Sequence, residues 1–483
     1  MVPLSCSLLL VDPVAEAILL SWNFDPWVII PLLGAAAIYL RGWLLLRKKL
    51  PGRFNTARLA AFQSGLLVVF LALTSPIDVF ANLLLFIHMT QHILLTMVAP
   101  PLLLMGAPML PLLRGLPRLV LIRVMGPILA IPGLRSLGAF LVRPVVALLS
   151  FSITTVAWHV PALYELALRS EFWHQVEHIC FFLTGLLFWW PVVQPWPSRR
   201  HQSGWAMILY LLAADLVNTG LSAVLCFAER VLYPSYAAAP ELWGVSALAD
   251  QSAAGAIMWV VGSMAFLLPV GWILNELLEP SLVTPPGAPR RGPALSHPQH
   301  RDTSSKPSER LRILLVLFMI LLSQLIQPPL TFPHHGGVLQ FKERSSPFII
   351  TLFSENTPVH TGLVELSVLV QNKSGEPLLD AAVGIELTQE NEGQPPIETV
   401  ATRSNAPNKL MYSAKVVLPV AGVWEATVRV RRGDVVANTG GELVVQPARD
   451  SADGWLYVLG LTGLLVLVWL ASGKRPAGKK ESG

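Results

Sequence analysis

The chain has few charged residues and almost no cysteine. Charged side chains make up 13% of its 483 residues, about half of the roughly 25% found in soluble domains. Hydrophobic residues make up 53% and the mean hydropathy is +0.56, which excludes an ordinary soluble globule and indicates an integral membrane protein. The three cysteines, Cys6, Cys180 and Cys226, form no CxxC pair, so a redox role for paired thiols has no support.

The sequence also lacks the usual signs of catalysis. We find no nucleophile–base arrangement, no phosphate-binding loop and no carboxylate pair, so the chain is not predicted to be an enzyme. The formal net charge is +5, but the basic residues lie beside apolar runs, where they set membrane orientation. The expected partner of these residues is therefore the lipid bilayer, and nucleic-acid binding is not predicted.

Nine apolar runs are long enough to cross a bilayer, which takes about 17–25 residues. They lie near residues 27–46, 56–74, 82–110, 144–160, 172–194, 205–227, 251–275, 311–327 and 455–472. We predict a mainly α, polytopic membrane helix bundle with a seven-span core over 1–278. A flexible cytoplasmic linker rich in Pro, Ser, Gly and Arg covers 279–310, the eighth span covers 311–327, and 453–483 holds the ninth span and a basic tail.

The basic residues fall on alternate connections between these runs. They cluster at 47–53, 114–143, 199–200, 290–310 and 474–480, whereas the segment before the first run and the 75–81 loop contain no Lys or Arg. By the positive-inside rule, the N-terminus is predicted to lie outside the cytoplasm and the C-terminus inside it.

Between the eighth and ninth runs the apolar period changes to two. Along 424–431 one side of the pattern carries Trp424, Ala426, Val428 and Val430, as in a half-buried strand. Further strands are predicted near 347–353, 362–371, 381–388, 410–418 and 441–446. Residues 328–452 are therefore predicted to form a small extracytoplasmic antiparallel β-sandwich.

Five histidines fall near one end of three predicted spans. His88 and His92 are four residues apart in the third run, His174 and His178 are four apart in the fifth, and His159 closes the fourth. A spacing of four places both rings of a pair on one helix face. Ionisable residues inside spans are costly and usually mark a site facing the bundle interior. The five histidines predict a metal site at the outer end of the bundle.

The ligand types favour copper without excluding zinc. Imidazole and thioether suit Cu(I), and Met89 follows the first of these histidines. Zinc accepts the same imidazoles, with Glu177 or Asp250 as an added carboxylate. Alternatively, Gln91, Glu177 and Asp250 act as supporting acceptors that orient the imidazoles.

Other readings of the histidines stay open. Hydrogen bonds between helices would need no metal, but such contacts contribute only about 0.6 kcal/mol on average in membrane bundles. His159 follows Trp158 and fits an interfacial polar cap equally well. Facing histidine pairs also suit a haem-binding membrane cytochrome, and a metal permease is a third alternative.

Four motifs follow one another in the core. They are HMTQHILL at 88–95 leading into APPLLLMGAP at 99–108, WHVPALY at 158–164, EH at 177–178 ahead of GLLFWWP at 185–191, and DQ at 250–251 ahead of GAIMW at 255–259. Over residues 20–278 this order resembles the CtaG family of cytochrome c oxidase assembly factors. The resemblance implies a seven-span protein needed for maturation of haem–copper oxidases. We therefore expect a bacterial inner-membrane protein whose partners are oxidase subunits and a copper donor protein. The segment around Gly422-Val423-Trp424 resembles the YtkA or FixH-like module.

Overall fold

The computed structural model describes residues 12–198, 203–278, 337–355, 358–389 and 395–447. The chain divides into two units, Met1–Glu279 with Pro333–Gln446 and Pro280–Phe332 with Pro447–Gly483. The predicted linker and the predicted eighth and ninth spans lie outside the described residues. The helical core and the β-domain, residues 337–447, are therefore the parts that the structure presents.

The core is built from sixteen described α-helices. They are α1 (Pro13–Leu19), α2 (Pro26–Lys49), α3 (Thr56–Thr74), α4 (Pro76–Phe80), α5 (Leu85–Ile93), α6 (Ala99–Met105), α7 (Met109–Gly115), α8 (Arg118–Val120), α9 (Gly126–Ala130), α10 (Pro132–Leu141), α11 (Pro144–His159), α12 (Pro161–Arg169), α13 (Glu171–Val193), α14 (Gly204–Phe227), α15 (Pro234–Ala238) and α16 (Ala247–Leu278). Two π-helical segments, Leu94–Val98 and Leu121–Met125, lie within the α5–α6 and α8–α9 stretches.

Local capping residues fix where the first long helices begin. The Asp25 side chain accepts a hydrogen bond from the Trp27 amide at 2.9 Å, and Pro26 occupies the first helical position of α2, where its missing N–H costs nothing. Asn55 caps α3 in the same way through the Arg58 amide at 3.1 Å. These side chains satisfy amides that no helical carbonyl can reach.

Six helical stretches are long and apolar enough to cross a membrane: Pro26–Lys49, Thr56–Phe80, Leu85–Met105, Glu171–Val193, Gly204–Phe227 and Ala247–Leu278. They correspond to six of the predicted runs. The predicted fourth run forms only the first arm of a pair, Pro144–His159 with Pro161–Arg169, bent by 74°. A second bent pair, Arg118–Ala130 with Gly133–Leu141, brings the described total to eight at most.

The outer faces of these helices are apolar. In α14 and α16, Leu216, Leu268 and Trp272 are 73%, 70% and 70% exposed. Contiguous apolar surface of this kind is rare on soluble proteins but matches lipid hydrocarbon. The exposed faces confirm that the chain is a membrane protein.

Two prolines, Pro100 and Pro101, follow the histidines in the third span. Pro100 has no N–H, so it leaves the carbonyl of Thr96 without its helical partner. The indole of Trp189 on α13 donates to that carbonyl at 3.0 Å. The π-helical segment Leu94–Val98 lies just before the prolines. The span therefore tolerates the prolines, because a neighbouring helix satisfies the freed carbonyl.

The β-domain contains nine described strands in two sheets. They are β1 (Val338–Ser345), β2 (Phe348–Ser354), β3 (Val359–His360), β4 (Gly362–Gln371), β5 (Ala382–Gln389), β6 (Ile397–Ala401), β7 (Tyr412–Leu418), β8 (Gly422–Arg432) and β9 (Val435–Gln446). The sheet orders are β1-β2-β4-β7 and β3-β9-β8-β5-β6. All described strand pairs are antiparallel except β3 with β9, so the antiparallel prediction is confirmed with one exception. The alternation in β8 is also confirmed, since Trp424, Ala426, Val428 and Val430 are fully buried.

The β-domain packs against one end of the helical core. One apolar cluster includes Phe80, Leu84 and Leu242 of the core together with Phe353 and Leu410 of the β-domain. Hydrogen bonds add to it, because the Gln371 side chain donates to the Glu241 carbonyl at 2.9 Å and the Lys409 amide donates to the Ser21 hydroxyl at 2.9 Å. Helix α5 starts directly after this cluster, so its histidines lie at the same end.

Candidate metal centre

Four of the five predicted histidines come together on α5 and α13. The ring centroids lie 4.4 Å apart for His88 and His92 and 4.2 Å apart for His174 and His178. Across the two helices, the distances are 5.2 Å for His88 and His174 and 5.4 Å for His92 and His178. The four-residue spacing therefore places each pair on one face, and the two faces meet.

The nitrogens of the cluster are close enough to share an ion. Nε2 of His88 and Nε2 of His174 are 3.4 Å apart, and two nitrogens on a tetrahedral metal with bonds of about 2.0–2.1 Å lie about 3.3–3.4 Å apart. Two trios place their ligand atoms within 4.8 Å of one another: His88, His92 and His178, and His88, His174 and Glu177. His88 belongs to both trios.

Two tyrosines orient His88. Its Nδ1 lies 2.8 Å from the Tyr236 hydroxyl and 2.9 Å from the Tyr164 hydroxyl. Tyr236 donates its own proton to the Ala81 carbonyl at 2.6 Å, so its oxygen can only accept from Nδ1. We therefore assign the His88 proton to Nδ1, which leaves the lone pair on Nε2 for a metal. Burial raises the pKa of Tyr236 well above its usual value, so the phenol stays protonated.

His92 and Glu177 are buried polar groups that the described protein leaves without hydrogen bonds. His92 is 4% exposed and Glu177 is fully buried, and neither ring nitrogen nor either carboxylate oxygen has a partner among the described residues. Nε2 of His92 lies 3.8 Å from Oε1 of Glu177, beyond hydrogen-bond distance. Groups of this kind are costly unless they are paired or bind a metal. Glu177 therefore fits a ligand position, and the structure offers it no hydrogen bond through which to orient an imidazole.

His159 lies outside both trios. Its Nδ1 donates to the Thr155 carbonyl at 2.7 Å, as expected near a helix end. Its Nε2 is buried and has no partner among the described residues. The structure thus separates His159 from the four clustered imidazoles but leaves one nitrogen with an available lone pair.

The supporting residues act through the backbone. Asp250 accepts hydrogen bonds from the amides of Leu85 at 2.7 Å and Phe86 at 3.1 Å, at the start of α5. Gln91 donates to the Ala72 carbonyl and to Asp78, each at 2.9 Å. These contacts hold α5 in place, whereas the alternative predicted from the sequence was that Gln91 and Asp250 orient the imidazoles directly.

Close packing of two helices makes the cluster compact. At Gly185 on α13, an added Cβ would lie 2.9 Å from the carbonyl oxygen of Thr96 in the third span. Only a residue without a side chain permits this approach. Met89 is fully buried within the core of the bundle.

The site predicted from the sequence did not include Tyr164 or Tyr236. Tyr164 belongs to the WHVPALY motif, which gave a signal that its position matters. Tyr236 lies 148 residues from His88 in sequence and carries no local pattern that predicts the contact.

A family profile described as "Cytochrome c oxidase caa3 assembly factor (Caa3_CtaG)" matches residues 37–279. The chain belongs to the CtaG family. The match includes both histidine helices, Tyr164, Tyr236 and Asp250, so the whole candidate metal centre lies within the CtaG region. The β-domain lies outside it. The resemblance predicted from the four motifs is therefore confirmed.

Three curated relatives are similar to part of this chain and are named only as uncharacterized proteins. Uncharacterized proteins from Mycobacterium bovis and Mycobacterium tuberculosis are each 25% identical over 280 residues, covering 55% of this chain and 40% of theirs. An uncharacterized protein from Mycobacterium leprae is 26% identical over 246 residues, covering 49% of this chain and 36% of its own. The chain thus spans less than half the length of these relatives. No solved structure matches it.

Proposed function

We propose that this CtaG protein is a non-catalytic assembly factor that binds copper in the histidine cluster and supplies it to a cytochrome c oxidase subunit. Family membership supports the assembly role. The observation that carries the copper role is the pair of ligand trios sharing His88. The buried and unpartnered atoms of His92 and Glu177 add to it, because a bound cation would supply the missing interactions.

Ring packing supports a single metal ion over haem. A haem needs a flat space for its macrocycle between two facing imidazoles. Here the neighbouring rings of His92 and His178 stand 4.4 Å from His88 and 4.2 Å from His174, so the space beside the candidate ligands is filled by more imidazole. Copper and zinc both fit this donor set, and the thioether of Met89, which lines the same small cavity as His92, favours copper.

Sidedness supports delivery outside the cytoplasm. Basic residues flank the opposite ends of the spans, so the positive-inside rule assigns the histidine end to the extracytoplasmic face of the bacterial inner membrane. The β-domain packs at that same end. We propose that it is a YtkA/FixH-like sandwich that docks an oxidase subunit or a copper donor close to the metal centre.

The test is metal analysis of the purified full chain and of single variants. His88→Ala removes a ligand from both trios, so we expect it to lose copper while membrane abundance stays normal. His178→Ala leaves the trio of His88, His174 and Glu177 intact, so we expect partial retention. His360→Ala, in the β-domain, is the matched control and should keep wild-type copper. Cells carrying only His88→Ala should contain less active, copper-deficient oxidase.

Two results would refute the proposal. Unchanged copper in His88→Ala would remove the cluster as the binding site. A haem absorption band with bound iron in the purified wild type would replace copper binding by the cytochrome alternative.

A further inference from the structure

A small cavity borders the metal centre at His92. It is large enough for about one water molecule. Its lining includes the side chains of Met89, His92, Met97, His159 and Met258. These residues come from α5, the π-helical segment after it, α11 and α16, so the cavity lies inside the bundle.

Two imidazoles present nitrogen atoms to this region. Nδ1 of His159 is occupied by the Thr155 carbonyl, which leaves the lone pair on its buried, unpartnered Nε2. Both nitrogens of His92 lack partners among the described residues as well. The ring of Phe181 lies against both imidazoles, with centroid distances of 4.5 Å to His92 and 6.3 Å to His159. The two histidines therefore line the same small cavity.

The cavity is also lined by Thr96, Thr155 and Asn218, whose side chains donate to backbone carbonyls, and by three methionines, whose thioethers are soft donors. Met89, Met97 and Met258 are 0%, 8% and 5% exposed, and their thioethers prefer Cu(I) to divalent ions. The cavity lining contains no carboxylate, in contrast to the trio with Glu177. The donors themselves are neutral, and the Glu177 carboxylate, 3.8 Å from Nε2 of His92, belongs to the neighbouring trio, so a divalent ion in this low-dielectric interior is disfavoured more than a monovalent one. Methionine often only fills space in a core, but packing does not explain the unpartnered Nε2 of His159.

We propose that this cavity is a second metal site, selective for Cu(I), in which His92, His159 and the thioethers of Met89, Met97 and Met258 are the donors. The proposal rests on the proposed function, since the ion is the same cargo. His92 also belongs to a trio of the metal centre. His92 is therefore a ligand common to both sites. We infer that the cavity holds Cu(I) next to the metal centre from which the ion is delivered.

The experiment titrates the full-length protein with Cu(I) under anaerobic conditions and records copper X-ray absorption. Wild type should show sulfur scattering from copper. The double variant Met97→Leu/Met258→Leu should lose that scattering and about one equivalent of Cu(I), because leucine keeps the volume but removes the soft donor. Zn(II) binding should stay unchanged. Met105→Leu is the matched control, since this methionine is 56% exposed and does not line the cavity.

A second variant controls for the possibility that the methionine substitutions act by altering the packing of the cavity. His159→Asn removes the nitrogen donor without touching the methionines, and it should lower Cu(I) stoichiometry while Zn(II) binding persists. Wild-type sulfur scattering and Cu(I) stoichiometry in the double variant would overturn the second site. Wild type that binds Cu(I) through nitrogen alone would overturn it too, while leaving the proposed function intact. Failure of wild type to bind Cu(I) at all would overturn both.

Discussion

Replacing Asp250 tests how the metal centre is held in place. The carboxylate accepts from the amides of Leu85 and Phe86, and α5 has no side-chain cap of its own at Leu84. Asp250 on α16 therefore serves as the cap of a helix 165 residues away in sequence. Asp250→Ala would leave both amides without this acceptor, in the turn that carries His88.

The expected loss follows from those two hydrogen bonds. A buried donor left unsatisfied costs about 1–3 kcal/mol, and the Phe86 amide is only partly buried, so water recovers some of its share. We expect about 2–4 kcal/mol in all. Because 1.4 kcal/mol corresponds to a factor of ten, this energy equals a loss of metal affinity of about 30- to 1,000-fold. The full loss is expected when the first turn of α5 must reform as the metal binds.

The assay is a metal titration combined with thermal unfolding in detergent. Asp215→Ala is the control, because Asp215 accepts from the Ser263 hydroxyl at 2.7 Å and has no hydrogen bond to α5. We expect the control to bind metal as wild type does, whereas Asp250→Ala binds it weakly. Wild-type affinity in Asp250→Ala would show that the first turn of α5 holds its geometry without the carboxylate, and the reasoning would be wrong.

Three further changes have definite expected outcomes. Gly185→Ala should separate the two histidine helices and lower copper content on metal analysis, whereas Gly220→Ala, with nothing within 4 Å of its added Cβ, should not. Tyr236→Phe removes one of the two hydroxyls beside Nδ1 of His88, the one assigned as its acceptor, so titration should show metal affinity about 10- to 100-fold lower; unchanged affinity would contradict the assigned tautomer. A reporter enzyme active only outside the cytoplasm should be active when inserted after Gly433 and inactive after Pro293, and equal activity at both positions would contradict the predicted orientation.

The parts of the fold with regular periodicity could be predicted from the sequence. The four-residue spacing of the histidines determines which helix face they share, and the structure brings the two faces together. The alternation of β8 likewise gave its buried side. Both patterns depend only on helix and strand geometry, so no knowledge of neighbouring elements was needed.

The missed strands are short or polar. Strand β1 carries Lys342, Glu343 and Arg344 in sequence at the edge of its sheet, and charged edges protect a sheet from further pairing. Such a strand has no apolar alternation to detect. Strand β6 is another edge strand, and β3 contains only two residues. Periodicity cannot find elements whose stability comes from the neighbouring strand.

The site contacts that the sequence could not give join distant segments. Periodicity places Asp250 near a span end but does not say that it caps α5. It places His159 at the same depth as the other histidines, whereas the structure holds it at the adjacent cavity. Which helix a face meets depends on packing, and here that packing depends on Gly185 and on Trp189, whose indole satisfies the carbonyl freed by Pro100.

Charge balance links the donor set to the metal proposed for it. Glu177 is the carboxylate in one of the two ligand trios found among the described residues, and the imidazoles are neutral ligands. A monovalent cation bound with ionised Glu177 leaves no net charge in the buried site, whereas a divalent cation leaves one positive charge. An uncompensated buried charge costs several kcal/mol even after relaxation. The trio with Glu177 therefore favours Cu(I) over Zn(II) on electrostatic grounds, independently of ligand softness, and the same argument favours a monovalent ion in the neutral cavity beside it.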